Sequence, residues 1–153
     1  MIIKIAWVGK TKEPAIQSLT DEYLKRIARY VQVEGVAVRD EDALLRLCGR
    51  ALNKAAKTSG SKSTLVLMDS CGKQFSSEEF ADFIGTHQER NPPPLVFAVG
   101  AADGFTEIAR EMAQYTISLG RVTLPHELAR VILLEQIYRG FTILKGHPYH
   151  SGH

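Results

Sequence analysis

Two short runs, Thr64–Met68 (TLVLM) and Leu95–Val99 (LVFAV), are apolar at nearly every position. A strand with one wet face alternates apolar and polar residues. These do not, so both of their faces must be covered. Strands buried on both faces need helices on each side of the sheet, and this requirement points to an α/β fold with a mostly parallel sheet.

The rest of the chain agrees with that pattern. Ile2–Val8 (IIKIAWV), Val31–Val38 (VQVEGVAV) and Tyr115–Leu119 (YTISL) are rich in β-branched residues and read as further strands. Ile16, Leu19, Tyr23, Ile27 and Tyr30 recur at helical spacing after the first strand. Leu44, Leu47, Cys48, Ala51, Leu52 and Ala55 mark a second helix that ends in the turn-like stretch Thr58–Ser63. Ser76 and Glu79 form a capping box that opens a third helix, and Asn91 with three prolines after it closes that helix. Phe105–Ala113 reads as a fourth. Pro125 suits the first turn of the last helix, which is expected to run to about Leu144.

At 153 residues, this alternation fits one domain, residues 1–153. Ligands of such sheets bind beyond the carboxyl ends of the strands. That singles out three loops, Asp69–Lys73, Gly100–Gly104 and Gly120–His126.

Composition excludes several classes. Hydrophobic residues make up 44% and charged residues 24%, which rules out a disordered tail or a disulfide scaffold. No apolar run reaches the roughly 18 residues of a membrane span. The short apolar start lacks the features of a secretion signal, so a cytoplasmic protein is expected. Two cysteines, Cys48 and Cys71, without CxxC spacing suit a reducing compartment with no bridge. The net charge is only +2, but it is unevenly spread: both ends of the chain are basic and the middle is acidic. Lys4, Lys10, Lys12, Lys25, Arg26 and Arg29 are the basic residues that phosphates would meet, with scattered solvated charge as the plainer reading.

Gly9-Lys10-Thr11 after a strand resembles the end of a phosphate loop. The glycine that motif requires further upstream is replaced by Lys4, so a phosphate loop is rejected. Gly100 and Gly104 do not make a dinucleotide fingerprint. They permit either close approach of backbone to a flat ligand or simply a tight turn. His147, His150 and His153 have a spacing that zinc tolerates, but Pro148 and Gly152 break any shared helical face, and no metal is expected.

The last helix carries more information. Leu128, Val131, Ile132, Leu133, Leu134, Ile137, Tyr138 and Phe141 cover nearly its whole circumference, which implies contact with a second subunit as well as with its own sheet. Its polar residues are Arg130, Glu135, Gln136 and Arg139. Glu135 and Arg139 are spaced to pair, and Arg130 and Arg139 are also shaped to meet phosphates.

Taken whole, VTLPHELARVILLEQIYRGFTILKGHPYH (Val122–His150) closely resembles the C-terminal signature of the bacterial RlmH family. Its members are 23S rRNA pseudouridine N3-methyltransferases of the SPOUT class. WVGK (Trp7–Lys10), LMDSCGKQFSSEEFA (Leu67–Ala81) and FAVGAADG (Phe97–Gly104) extend the likeness over essentially the full chain.

The resemblance implies a SPOUT-type α/β fold with a C-terminal trefoil knot, a homodimer, and S-adenosyl-L-methionine as methyl donor. It implies a cofactor pocket of Met68, Gly100, Gly104 and the run Leu119, Gly120, Arg121, Val122, Thr123 and Leu124. It also implies 23S rRNA, on the assembled ribosome, as substrate. Chemistry is expected from His126, Arg130, Arg139 and His150: a histidine to take a proton, or an arginine to ease its release. RNA contacts are expected from Arg130, Arg139, His147, Tyr149 and His150, with Tyr149 stacking on a base. The chain departs from the family pattern at Ala101, where a second glycine is usual, at Met68, where leucine is usual, and in its ending Ser151-Gly152-His153. A catalytically silent RNA-binding protein and a nucleotide- or flavin-binding enzyme are the rival readings.

Overall fold

The computed structural model describes residues 1–50, 62–89, 92–100 and 103–151. Five strands form one sheet: β1 (Ile2–Val8), β2 (Gln32–Val38), β3 (Thr64–Gln74), β4 (Leu95–Val99) and β5 (Tyr115–Ser118). Their order is β2-β1-β4-β3-β5, and every neighbouring pair is parallel. The helices are α1 (Pro14–Ile27), α2 (Glu41–Leu47), α3 (Ser77–Glu89), α4 (Glu107–Met112) and α5 (His126–Lys145), followed by a 3-10 turn at Pro148–His150.

The alternation of side chains along the central strands sorts the core into two halves. Ile3, Ile5, Val66, Phe97 and Val99 face the layer of α1, α3 and α5, where they meet Ile27, Ile84, Leu133, Ile137 and Phe141. Ala6, Leu65, Leu67, Val96 and Ala98 face the opposite layer and meet Leu44, Leu45, Phe105 and Ala109. The two apolar runs are therefore covered on both sides, as their composition requires. Phe97 is fully buried, and its truncation to alanine would cost about 3–5 kcal/mol.

Local chemistry sets the helix starts. Ser76 Oγ accepts from the Glu79 amide at 3.1 Å, and Glu79 returns the bond to the Ser76 amide at 3.0 Å, so the capping box forms as expected. That bond holds the Glu79 carboxyl below its ordinary pKa. Pro125 stands one residue ahead of α5, at its N-cap.

Three expectations are corrected. The second helix ends at Leu47; the stretch expected to continue it, 51–61, lies outside the described residues, as does Ala101. The fourth helix is shorter, beginning at Glu107 after Thr106 caps it. Asp69–Lys73 is not a free loop but an irregular part of β3. Its register against β5 jumps between Met68 and Lys73, both of which pair with Ile117. The extra residues bulge out at Asp69–Gly72. A Cβ at Gly72 would stand 2.6 Å from the backbone of Thr116 and Ile117, so only glycine lets the bulge lie this close to β5.

Candidate active site

The bulge, the end of β4 and the segment after β5 meet beyond the carboxyl ends of three adjacent parallel strands. There they enclose a cleft of about 190 Å³ with the first turns of α5. Met68, Gly100 and Gly104 line it, as do Leu119, Gly120, Val122, Thr123 and Leu124. Of the cofactor residues expected from the sequence, only Arg121 is outside the lining; it is exposed. His126 also lines the cleft.

Sequence reasoning reached Asp69 and Ser70 only as part of the Asp69–Lys73 loop, and it missed Val99, Ser118 and Ala129 in this lining. Asp69 and Ser70 follow Met68, in the bulge of β3 that borders the cleft. Ala129 lies one helical turn after His126, which was the available signal.

Each wall is fixed by named bonds. Ser118 Oγ donates to the Gly120 carbonyl at 2.9 Å and accepts from the Gly120 amide at 3.1 Å. Gly120 has φ +131° and no atom within 4 Å of where its Cβ would be, so the turn needs glycine and leaves open space. Asp69 is nearly buried. It accepts from the Cys71 amide at 2.9 Å and lies 3.5 Å from Arg110 Nη1. Thr106, just ahead of α4, is pinned by Glu41, whose carboxylate accepts from the Thr106 amide at 2.9 Å and from its hydroxyl at 2.6 Å.

The lining has apolar walls (Met68, Val99, Leu119, Leu124), an open glycine cradle and a carboxylate at one edge. That combination suits a flat heteroaromatic group attached to a polar, positively charged chain. The residues present therefore fit an S-adenosylmethionine-type cofactor.

The other candidates are not gathered here. Arg130 is 1% exposed; its guanidinium carbon lies 4.0 Å from the centroid of the Trp7 ring, and Nη1 donates to Thr11 Oγ1 at 2.7 Å. Burial lowers its pKa, and Nε has no acceptor. In this position Arg130 presents no guanidinium to a phosphate. Sequence alone reads a charge as exposed, and it could not show Trp7 beneath this one.

Arg139 pairs with Glu135 at 2.7 Å, which raises its pKa. The Tyr149 hydroxyl donates to Glu135 Oε1 at 3.2 Å, and its ring stands edge-on to Tyr138 at 4.7 Å. Burial, foremost, raises the Tyr149 pKa, with help from hydrogen bonds to Tyr23 and Glu135. Tyr149 is thus packed against its own chain rather than offered to a base. His147 caps the terminal turn, accepting from the Tyr149 amide at 3.1 Å, while His150 Nδ1 is buried without a partner. Of the basic residues near the start, Lys4 pairs with Glu34 at 3.3 Å and Arg26 with Glu22 at 2.9 Å.

The 20 residues of α5 span about 30 Å at 1.5 Å per residue. His126 and the tail histidines therefore occupy opposite ends of that helix. Among the described residues no helix is long and apolar enough to cross a membrane, and no group of three His, Cys, Asp or Glu is placed to hold a metal.

With this geometry in hand, known proteins provide the comparison. A family model described as "Predicted SPOUT methyltransferase" matches residues 1–150. The chain is 52% identical over 153 residues to "Ribosomal RNA large subunit methyltransferase H" of Koribacter versatilis, covering 100% of both chains. It is 45% identical to the protein of that name from Gloeobacter violaceus, over 99% of this chain and 100% of the other. A solved structure of a probable methylase family protein from Haemophilus influenzae Rd KW20 superposes with a TM-score of 0.57 at 11% identity. It covers 97% of this chain and 70% of that one, a likeness of fold. The α/β fold expected from two apolar runs is thus shared with a methylase, and the full-length match makes this chain a member of the SPOUT methyltransferase family.

Proposed function

We propose that the chain methylates large-subunit ribosomal RNA, at N3 of a pseudouridine, with S-adenosyl-L-methionine as donor. The observation that carries this reading is the cleft itself. Eight of the nine residues expected to hold the cofactor line one cavity beyond β3, β4 and β5. The relatives' shared name supports the substrate class.

When bound, S-adenosylmethionine would supply an activated methyl group on a cationic sulfur, with the neutral thioether as leaving group. The chain's residues bind and orient. Met68, Val99 and Leu124 offer apolar faces, the Leu119–Leu124 backbone offers hydrogen-bonding groups, and the Asp69 carboxylate, shared with Arg110, offers acceptor oxygens at one edge. His126 borders the same space. As the imidazole in the lining it is placed to act as a general base, and we assign it the proton that leaves N3.

The remaining site residues belong to the RNA. Arg139, in the second half of α5, and the tail histidines His147 (exposed) and His150 lie towards the other end of that helix from the cleft of the same chain. We assign Tyr149 to hold Arg139 rather than to stack on a base, because its ring already packs on Tyr138 and the guanidinium carbon of Arg139 lies 5.3 Å from its centroid.

A second copy with its α5 antiparallel would bring one tail to the other's cleft. The exposed apolar Val122 (69%), four residues ahead of α5, and Leu128 (46%), in its first turn, support such a homodimer. The threaded C-terminal knot and a cytoplasmic, ribosome-facing location complete this reading.

The test is a calorimetric titration with S-adenosylmethionine, followed by transfer of labelled methyl to isolated large ribosomal subunits lacking the modification. Saturable heat and one methyl per particle are expected. Preference for FMN or NAD, or binding without transfer, would overturn the reading.

A further inference from the structure

A second cleft, of about 290 Å³, adjoins the first and shares Met68, Ser118 and Leu119 with it. It lies between the end of β3, the start of α3 and the middle of α5. Phe75, Phe80, Ile117 and Ile132 give it apolar walls. Its polar groups gather on one side, where Ser77 and Gln136 face each other across α3 and α5.

We infer that this cleft seats the acceptor nucleobase, a pyrimidine dione lifted out of the RNA, and that the Gln136 amide reads its N–H/C=O edge. The inference rests on the methyltransferase reading above and adds where the acceptor lies and what selects it.

Continuity comes first. Methyl transfer requires donor and acceptor atoms at about 3–3.5 Å, and only a compartment sharing a wall with the cofactor cleft allows that. The volume falls just below the roughly 300 Å³ at which sites for whole small-molecule ligands begin. Flat apolar walls with a polar edge are how enzymes hold a flipped base.

The hydrogen-bond inventory of Gln136 then narrows the ligand. Its Oε1 accepts from Ser77 Oγ at 2.7 Å, and its Nε2 donates to Glu135 Oε2 at 2.7 Å. An amide has two N–H donors and two acceptor lone pairs, so one of each remains for the cleft, already oriented by the two fixed bonds. The complement is an N–H beside a carbonyl. A uracil ring joined to ribose through carbon presents this at N1–H and C2=O, while N3, on the other side of C2, stays free to face the shared wall. In uridine, N1 carries the ribose and the donor is gone. Gln136 is therefore a specificity-determining residue for the carbon-linked base.

The experiment uses the full chain and two sets of large ribosomal subunits, with pseudouridine or uridine at the target position. Gln136→Met keeps length and helix propensity but removes both polar groups. It should leave cofactor affinity within about twofold while lowering kcat/KM on the pseudouridine particle by roughly 30- to 100-fold, the loss of two hydrogen bonds. On the uridine particle it should change the rate only about threefold, so discrimination collapses.

Ser77→Ala, which only frees the amide, should move the same ratio in the same direction by a smaller factor. Unchanged discrimination in Gln136→Met would overturn the inference. So would a tenfold loss of cofactor affinity, which would assign the cleft to the cofactor, or conversion to a monomer in sedimentation, which would assign it to a second copy. A wild-type chain inactive on both particles would refute the methyltransferase reading instead.

Discussion

Replacing Arg130 with methionine should cost the fold little, although the guanidinium is almost completely buried. Three terms decide the balance. The bond to Thr11 at 2.7 Å is charge-assisted and contributes about 1.5–3 kcal/mol. The stacking on Trp7 at 4.0 Å contributes about 0.5–2 kcal/mol. Against them stand a cation removed from water with no carboxylate in ion-pair contact among the described residues, and an Nε without an acceptor.

The unmet donor alone costs about 1–3 kcal/mol, and desolvation of the charge adds to it. Methionine keeps most of the volume over Trp7 and removes both penalties, so the expected change is within about 1–2 kcal/mol. Alanine leaves a cavity between α5 and β1 and should cost about 2–5 kcal/mol. Urea denaturation of the two variants beside the wild type measures the difference, and cofactor titration should show no effect of methionine beyond about twofold, since Arg130 is outside the cleft. A methionine variant as unstable as the alanine variant would refute this balance and mean that the guanidinium's own bonds hold the start of α5.

Three further outcomes follow from the site and its surroundings. Gly120→Ala forces a side chain into φ +131°, a strain of about 1–3 kcal/mol that should lower the unfolding midpoint, and a turn that shifts to escape it should bind cofactor about tenfold more weakly in calorimetry. Cys48 is buried and burial pushes its thiol up to about 11, so it stays protonated near neutral pH; a thiol reagent should modify only the exposed Cys71 in the native protein, and both in denaturant. Ending the chain after Gly146 removes the Tyr149–Tyr138 contact, worth about 0.5–1.5 kcal/mol, and should spare cofactor binding while abolishing methyl transfer; loss of cofactor binding as well would contradict the separate duties assigned to cleft and tail.

What the sequence made legible and what it hid follow one physical division. Runs such as Leu95–Val99 declare double-sided burial by composition, and Ser76 with Glu79 declares a helix start by local hydrogen bonding. Both hold because the information lies within a few residues. The place of the cleft was legible for the same reason, since strand ends are local features, whereas its individual residues came with the family resemblance. Long-range packing was not. Asp69-Ser70-Cys71-Gly72 has the composition of a loop, and only the backbone of β5 beside Gly72 makes it a bulge within a strand. Arg130 and Tyr149 have side chains that usually meet solvent or ligand. Trp7, more than a hundred residues upstream of Arg130, and Tyr138, on α5 before the chain turns back at Gly146, claim them instead.

This cleft is proposed to methylate large-subunit ribosomal RNA. Mass spectrometry of that RNA from cells with and without the gene tests it most directly. The account predicts that one pseudouridine carries a methyl group at N3 in the first and none in the second, with the methyl restored by the intact gene and not by the Gly120→Ala form at limiting cofactor. Identical RNA from both cells would contradict it.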